Sequence, residues 1–172
     1  MWVEKRFHFR NRVVMRARPR ACIRILVAAL ALLSVAAFAE TAPRAESLIK
    51  WRQSAYQVIA WNSGRIKAAL AGQYAAQDVQ TAANALAAVA NSGLATLFAP
   101  GTADGKGWRE TTAREEIFSD AAKFRALTEE FAREANTLAR IAATGDRATV
   151  NEQFLKVAQT CKSCHNQFRQ TD

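Results

Sequence analysis

The run Cys161-Lys162-Ser163-Cys164-His165, near the C-terminus, constrains this sequence more than any other stretch. Two cysteines three residues apart lie on the same face of a helix, so both thiols can add to the two vinyl groups of a haem. The histidine that follows would then lie beneath the iron. This pentapeptide is typical of c-type haem attachment. It predicts one covalently bound haem c, attached at Cys161 and Cys164, with His165 as the iron ligand.

Two other kinds of site share the Cys-x-x-Cys pair, namely zinc sites and thioredoxin-like redox sites. Zinc would need two further Cys or His ligands, and residues 40–172 contain none beyond the pentapeptide. A thioredoxin-like motif belongs to a βαβ unit, and no strand pattern is visible here. Both remain minor alternatives to haem attachment.

Residues 1–39 have the pattern of a secretory signal peptide. Eight Lys and Arg residues and a single acid, Glu4, come before an apolar run over residues 25–37, and Ala37-Phe38-Ala39 supplies a small-x-small cleavage pattern. The apolar run has 13 residues, fewer than the ~20 that a spanning helix needs, which disfavours an uncleaved anchor. We therefore expect cleavage after Ala39, export to the periplasm by the Sec route, and no membrane attachment afterwards. Met15 is a second candidate for the start of translation.

Removal of residues 1–39 changes the charge of the chain. The whole sequence has 24 basic and 15 acidic side chains and a net charge of +9, whereas residues 40–172 keep 16 and 14, a net charge of about +2. The high isoelectric point is thus largely a property of the leader, and it gives no reason to expect a nucleic-acid partner. Residues 40–172 have the length of one domain.

Removal of the leader also limits the available iron ligands. Both methionines, Met1 and Met15, and one of the two histidines, His8, lie in residues 1–39. His165 is then the sole histidine, so neither His/Met nor bis-His ligation is available. We expect a five-coordinate iron, unless a Lys, Tyr or Asn side chain or the terminal amine takes the sixth position.

Hydrophobic periodicity predicts helices over about 47–70, 79–91, 112–143 and 147–170, with Asp78 and Asp146 as N-caps of the second and fourth. The apolar positions of the last helix step by 4, 3, 4, 3 and 4, so both cysteines face the interior: Val150, Phe154, Val157, Cys161, Cys164, Phe168. The connections are short apart from one loop rich in Gly and Pro. We predict an all-α fold, an antiparallel up-down-up-down four-helix bundle with the cofactor in its core.

Five segments in order carry a further pattern: Ile49–Ser54, Gly64-Arg65, Leu97–Thr102, Ile117–Phe124 and Cys161–Arg169. On these segments, and over nearly all of residues 40–172, the sequence resembles the cytochrome c′ family. The resemblance implies an antiparallel four-helix bundle, a high-spin five-coordinate haem iron near the C-terminus and a homodimer.

The resemblance also implies roles for residues outside the pentapeptide. Arg52 and Gln53 match the first-helix pair that the family places beside the haem propionates, and arginine suits a carboxylate because its charged fork binds both oxygens. Tyr56 falls at the family's distal position, and Arg169 matches the arginine beside the proximal histidine. The alternatives are solvated helix charges for the arginines and an ordinary core tyrosine for Tyr56.

Two functions follow from this set of residues. The first is binding of NO and CO at the ferrous iron, with a capacity for one-electron transfer to an unidentified periplasmic redox partner. The alternative is a dedicated electron carrier with a weak sixth ligand that is neither Met nor His. An enzyme is not expected, because no distal His and Arg pair suited to peroxidase chemistry is visible.

Overall fold

The computed structural model describes residues 43–170. Four helices form its body: α1 (Ala45–Ala71), α2 (Ala76–Ala90), α3 (Ala121–Ala142) and α4 (Arg147–Phe168). The longest connection, between α2 and α3, contains a 3-10 turn (Leu94–Leu97) and a single helical turn (Glu116–Ser119). The expected signal peptide and its cleavage site lie outside the described residues. Within residues 43–170, no helix is long and apolar enough to cross a membrane.

Each helix packs on the next one along the chain, α1 on α2, α2 on α3 and α3 on α4. Between them lies a core of fully buried side chains, of which the largest are Ile66, Val79, Leu86, Leu138, Val150 and Val157. Burial of each such side chain stabilises the fold by about 1.5–3 kcal/mol. The all-α four-helix prediction is confirmed. The first and last helices, α1 and α4, make few contacts with each other, and this gap provides the space for the functional site.

The ends of the helices agree only in part with the sequence pattern. Asp146 caps α4 as predicted, because its Oδ1 accepts a hydrogen bond from the backbone N–H of Thr149 at 2.9 Å. The prediction for Asp78 is wrong. The second helix begins earlier, at Ala76, with Ala75 as its N-cap. Asp78 instead lies in the first turn, where a carboxylate interacts favourably with the helix dipole.

The predicted start of the third helix, at Thr112, is also wrong, since α3 begins at Ala121. The backbone of residues 112–114 pairs with the end of α4 instead. Gln170 donates its N–H to the Thr112 carbonyl at 2.8 Å, and Arg114 donates its N–H to the Phe168 carbonyl at 3.0 Å. Those groups are therefore unavailable to a continuous helix. The pairing fixes the C-terminal end of α4, which carries the cysteines.

Candidate cofactor site

A cavity of about 490 Å³ lies between α1, α3, α4 and the loop that precedes α3. We call it the main cavity, and its size is within the range of small-molecule sites. Every site residue predicted from the sequence lies on its wall: Arg52, Gln53, Tyr56, Cys161, Cys164, His165 and Arg169. Helix α1 contributes the first three and α4 the next three, with Arg169 directly after its end.

The two cysteine thiols are free and lie on the α4 wall of the main cavity. Burial raises the pKa of Cys161. Burial, reinforced by the neighbouring Cys161, raises the pKa of Cys164 to about 11. A thiol–disulfide redox centre needs a lowered cysteine pKa, so the upward direction of both shifts argues against the thioredoxin-like alternative. Within residues 43–170 there is also no group of three or more His, Cys, Asp or Glu side chains that could hold a metal ion.

His165 lines the main cavity, one residue after the second cysteine. Burial, and to a lesser extent the positive charge of Arg169, lowers the pKa of His165. The neutral imidazole is the form that ligates a metal, and it is therefore favoured at neutral pH.

Arg52 is almost fully buried, with 3% of its surface exposed, and it anchors the loop that follows the 3-10 turn. Its guanidinium donates to the hydroxyl of Thr102 at 2.8 Å, to the hydroxyl of Thr111 at 2.6 Å and to the Thr102 carbonyl. It also lies 4.8 Å from the ring centroid of Phe98. Burial lowers the pKa of Arg52. These hydrogen bonds join Arg52 to residues that lie 50 and 59 positions further along the chain. The sequence did not predict this loop-anchoring role.

No carboxylate of residues 43–170 forms an ion pair with Arg52, because the two pairs found there are Lys50–Glu46 and Arg114–Glu116. A buried charge without a counter-charge is costly. A carboxylate supplied by a ligand would provide the missing counter-charge, while Nη1 and Nη2 of Arg52 already donate to the loop. The Arg114–Glu116 pair also shows that Arg114 is engaged locally, and Arg114 does not line the main cavity.

The side-chain amide of Gln53 is fully engaged by the same loop. It accepts the N–H of Trp108 at 2.8 Å and donates to the Arg109 carbonyl at 2.9 Å. Close approach of the loop to α1 requires glycine at position 107, because a Cβ there would lie 2.8 Å from the backbone nitrogen of Lys50. This contact places Arg109 on the wall of the main cavity. The sequence did not predict Arg109 at this position. The glycine-rich composition of the loop was the one available signal.

Tyr56 joins a series of aromatic rings at the main cavity. The ring centroids of Tyr56 and Phe98 are 6.3 Å apart. Those of Phe98 and Phe124 are 4.9 Å apart, and those of Phe124 and Phe168 are 5.4 Å apart. All three pairs are edge to face. Burial is the main reason that the pKa of Tyr56 is raised, so its phenol is neutral. The α1 side of the main cavity is therefore lined by an uncharged aromatic side chain.

The charges on the cavity wall are unbalanced. Arg52, Arg109 and Arg169 line it together with one acidic residue, Glu110, while most other lining groups are apolar. An apolar cavity with an excess of two positive charges fits a flat apolar ring system that carries two carboxylates. A haem has this composition, so the residues present fit the group predicted from the pentapeptide.

Comparison with known proteins decides the family. The family model for Cytochrome C' matches residues 47–169. The chain belongs to the cytochrome c′ family. It is 52% identical over 130 residues to the cytochrome c′ of Rhodocyclus tenuis, an alignment that covers 75% of this chain and 98% of that protein. Members of the cytochrome c′ family bind haem c, in agreement with the composition of the main cavity.

Solved cytochrome c′ structures share the fold. One, described as having an unusual ligand-controlled dimer dissociation, superposes with a TM-score of 0.73 at 40% identity, covering 76% of this chain and all of that one. Two variants of cytochrome c′ from Alcaligenes xylosoxidans, one in complex with nitric oxide and one with carbon monoxide bound, superpose with TM-scores of 0.66. Those two are 30% and 31% identical and cover 75% and 74% of this chain and 98% of theirs.

Proposed function

We propose that residues 40–172 form a cytochrome c′ domain with one haem c, attached through Cys161 and Cys164 and ligated by His165. The observation that carries this proposal is the presence of these three side chains on one wall of the main cavity, close together on α4. The lowered pKa of His165 keeps its imidazole available as a ligand. When bound, the haem supplies an iron centre that can take a diatomic gas or exchange one electron.

We infer that the haem iron is five-coordinate and binds NO and CO. Among residues 43–170, the main cavity has no methionine on its wall and no histidine besides His165. The neutral phenol of Tyr56, on the α1 side, occupies the position that the family resemblance assigns to the distal residue. The nitric oxide and carbon monoxide complexes of variants of the Alcaligenes xylosoxidans protein support the proposed binding of these gases.

Arg52 and Arg109 would face the two propionates, and Arg169 would lie beside the proximal His165, whose pKa its charge helps to lower. Arg52 is buried without an acidic partner among the described residues, so it would contribute its positive charge, while its Nη1 and Nη2 groups keep their hydrogen bonds to the loop. Gln53 would act on the propionates indirectly, since its amide holds the loop that brings Arg109 to the cavity wall.

We further propose a homodimer formed through the outer face of α1. Trp51, Val58 and Trp61 are spaced by seven and three residues, which places them on one face, and they are 52%, 41% and 65% exposed. Exposed apolar patches of this kind mark interaction sites. The similar cytochrome c′ with ligand-controlled dimer dissociation supports a second copy of the chain as the partner.

We place the protein in the periplasm after loss of residues 1–39, where it would exchange single electrons with an unidentified redox partner. We infer a binding and carrier protein rather than an enzyme. The test is the intact mass of the protein purified from the periplasm of a host with haem-attachment machinery. The expected mass is that of residues 40–172 plus one haem, which should remain attached in denaturant. A chain without haem would overturn the proposal, and the C161S/C164S variant is the control for covalent attachment.

A further inference from the structure

A second cavity, also of about 490 Å³, lies beside the main cavity in the same gap between α1 and α4. We call it the side cavity. From α1 it is lined by residues that include Ser63, Gly64 and Leu70, and from α4 by residues that include Phe154, Leu155 and Ala158. Because α1 and α4 run antiparallel, the main cavity lies along the first half of α1 and the side cavity along the second half. The two therefore follow one another along a single seam.

Ser63 lines both cavities. Its neighbours on α1 are small as well, because Ala60 lines the main cavity and Gly64 lines the side cavity. A Cβ built at Gly64 would meet no atom within 4 Å, so this part of α1 is not closed by packing against α4. A single short side chain on α1 thus marks the boundary between the two spaces.

The walls of the side cavity are mainly apolar, and Ser63, Lys67 and Asn151 are the polar residues among those that line it. Leu70 and Phe154 pack against the hydrophobic core, and Leu155 is 60% exposed. The side cavity is open to solvent, because Gly64, Leu155 and Ala158 are exposed, so a small apolar species can enter it directly from water. The opposite end of the main cavity is different, because Arg52 and Gln53 hydrogen-bond the loop there and the charged residues suit carboxylates.

We propose that small apolar diatomic gases, the class of NO and CO, reach the main cavity through the side cavity, passing Ser63. The inference rests on the proposed gas-binding function and adds the route. A phenylalanine at position 63 would fill the boundary from the α1 side. A phenylalanine at position 158 would fill the side cavity from the α4 side, outside the main cavity, since Ala158 lines the side cavity alone.

The test is the association rate of CO with the reduced holoprotein, measured by flash photolysis on Ser63→Phe, Ala158→Phe and the control Ala148→Phe. Ala148 is an exposed alanine of the same helix that lines neither cavity. We expect both blocking variants to lower the association rate by at least about fivefold and the control to leave it unchanged, because only the entry barrier is raised. The CO dissociation rate should fall in parallel, so that affinity stays the same. Parent-like association rates in both blocking variants would overturn the route.

Xenon provides a readout that does not depend on the iron. Crystals of the holoprotein under xenon pressure should show a xenon atom in the side cavity, and the Ala158→Phe variant should lack it. A side cavity without xenon in the parent protein would count against the route. Failure of the parent to bind CO at all would instead overturn the proposed function, so the two failures are distinguishable.

Discussion

The side-chain amide of Gln53 holds the main chain of Arg109 on both sides. Its Nε2 donates to the Arg109 carbonyl at 2.9 Å and its Oε1 accepts from the Arg109 N–H at 3.4 Å. Gln53 thereby fixes a loop residue 56 positions further along the chain at the wall of the main cavity. The effect of Gln53 on a bound haem is therefore expected to pass through this loop.

Removal of the Gln53 amide should loosen the loop. Gln53→Leu removes the hydrogen bonds to Trp108 and Arg109, and we expect the free energy of unfolding to fall by about 1–2 kcal/mol, since each net hydrogen bond contributes about 0.5–1.5 kcal/mol. Denaturant unfolding of the holoprotein measures this. Hydrogen exchange should speed up at Trp108. Gln57→Leu is the matched control, because Gln57 lines the same cavity. An unchanged stability in Gln53→Leu would contradict the positioning role.

Replacement of Arg52 should have a larger effect. Arg52→Lys keeps the positive charge but loses the fork that reaches Thr102 and Thr111 together. We expect a loss of about 2–3 kcal/mol in the free energy of unfolding, the scale for a buried charged group left without its hydrogen bonds. Chemical denaturation of the parent and the variant gives the difference. Arg133→Lys, at an exposed position of α3, should be neutral, and a neutral Arg52→Lys would show that loop anchoring has little energetic weight.

Because Asp146 caps α4 as a charged carboxylate, we expect the free energy of unfolding to depend on pH. Hydrogen bonds from Thr149 lower the pKa of Asp146, so the folded state favours its charged form. This contribution is complete above the ordinary aspartate pKa of about 3.9, and it is lost as the pH falls through the lower folded-state pKa. The stability difference between the parent and Asp146→Ala should therefore be largest near neutral pH and shrink in acid. Thermal unfolding at about pH 7 and about pH 3, on either side of that ordinary value, measures it. A difference that stays constant would mean that the charged cap contributes nothing.

The dimer proposal depends on the apolar face of α1. Trp61→Glu places a charge in a patch that also contains Trp51 and Val58, and burial of an unpaired charge in an interface is unfavourable. Sedimentation velocity of the holoprotein should show the parent as a dimer and the variant as a monomer. Ala88→Glu, at an exposed site on α2, is the control for added charge. A parent that sediments as a monomer would remove the basis for this interface.

The sequence predicted the residues of the α4 wall well, because their relationship is local. Cys161, Cys164 and His165 lie within five positions of one helix, and helical geometry alone places them together. The heptad-like spacing of that helix likewise predicted its buried side, and Val150, Val157 and Phe168 are buried. The resemblance to the cytochrome c′ family added Arg52, Gln53 and Tyr56, which line the same cavity from α1.

Contacts between distant positions were the part that the sequence could not predict. The helical periodicity from residue 112 onwards suggested a helix, but the backbone groups of residues 112–114 pair with residues 168–170, a relationship that no local pattern reveals. The same reason applies to Arg109, whose position depends on the approach of a glycine-rich loop to α1. The side cavity arises from the low contact between α1 and α4, which depends on the packing of the entire bundle.

We propose that His165 binds the haem iron and that the sixth position of the iron is open. The most direct measurement is the optical spectrum of the purified holoprotein, first oxidised, then reduced, and then reduced under CO. We expect broad high-spin bands that sharpen when CO is added. A sharp low-spin reduced spectrum that is indifferent to CO would contradict the claim, because that result requires an internal sixth ligand.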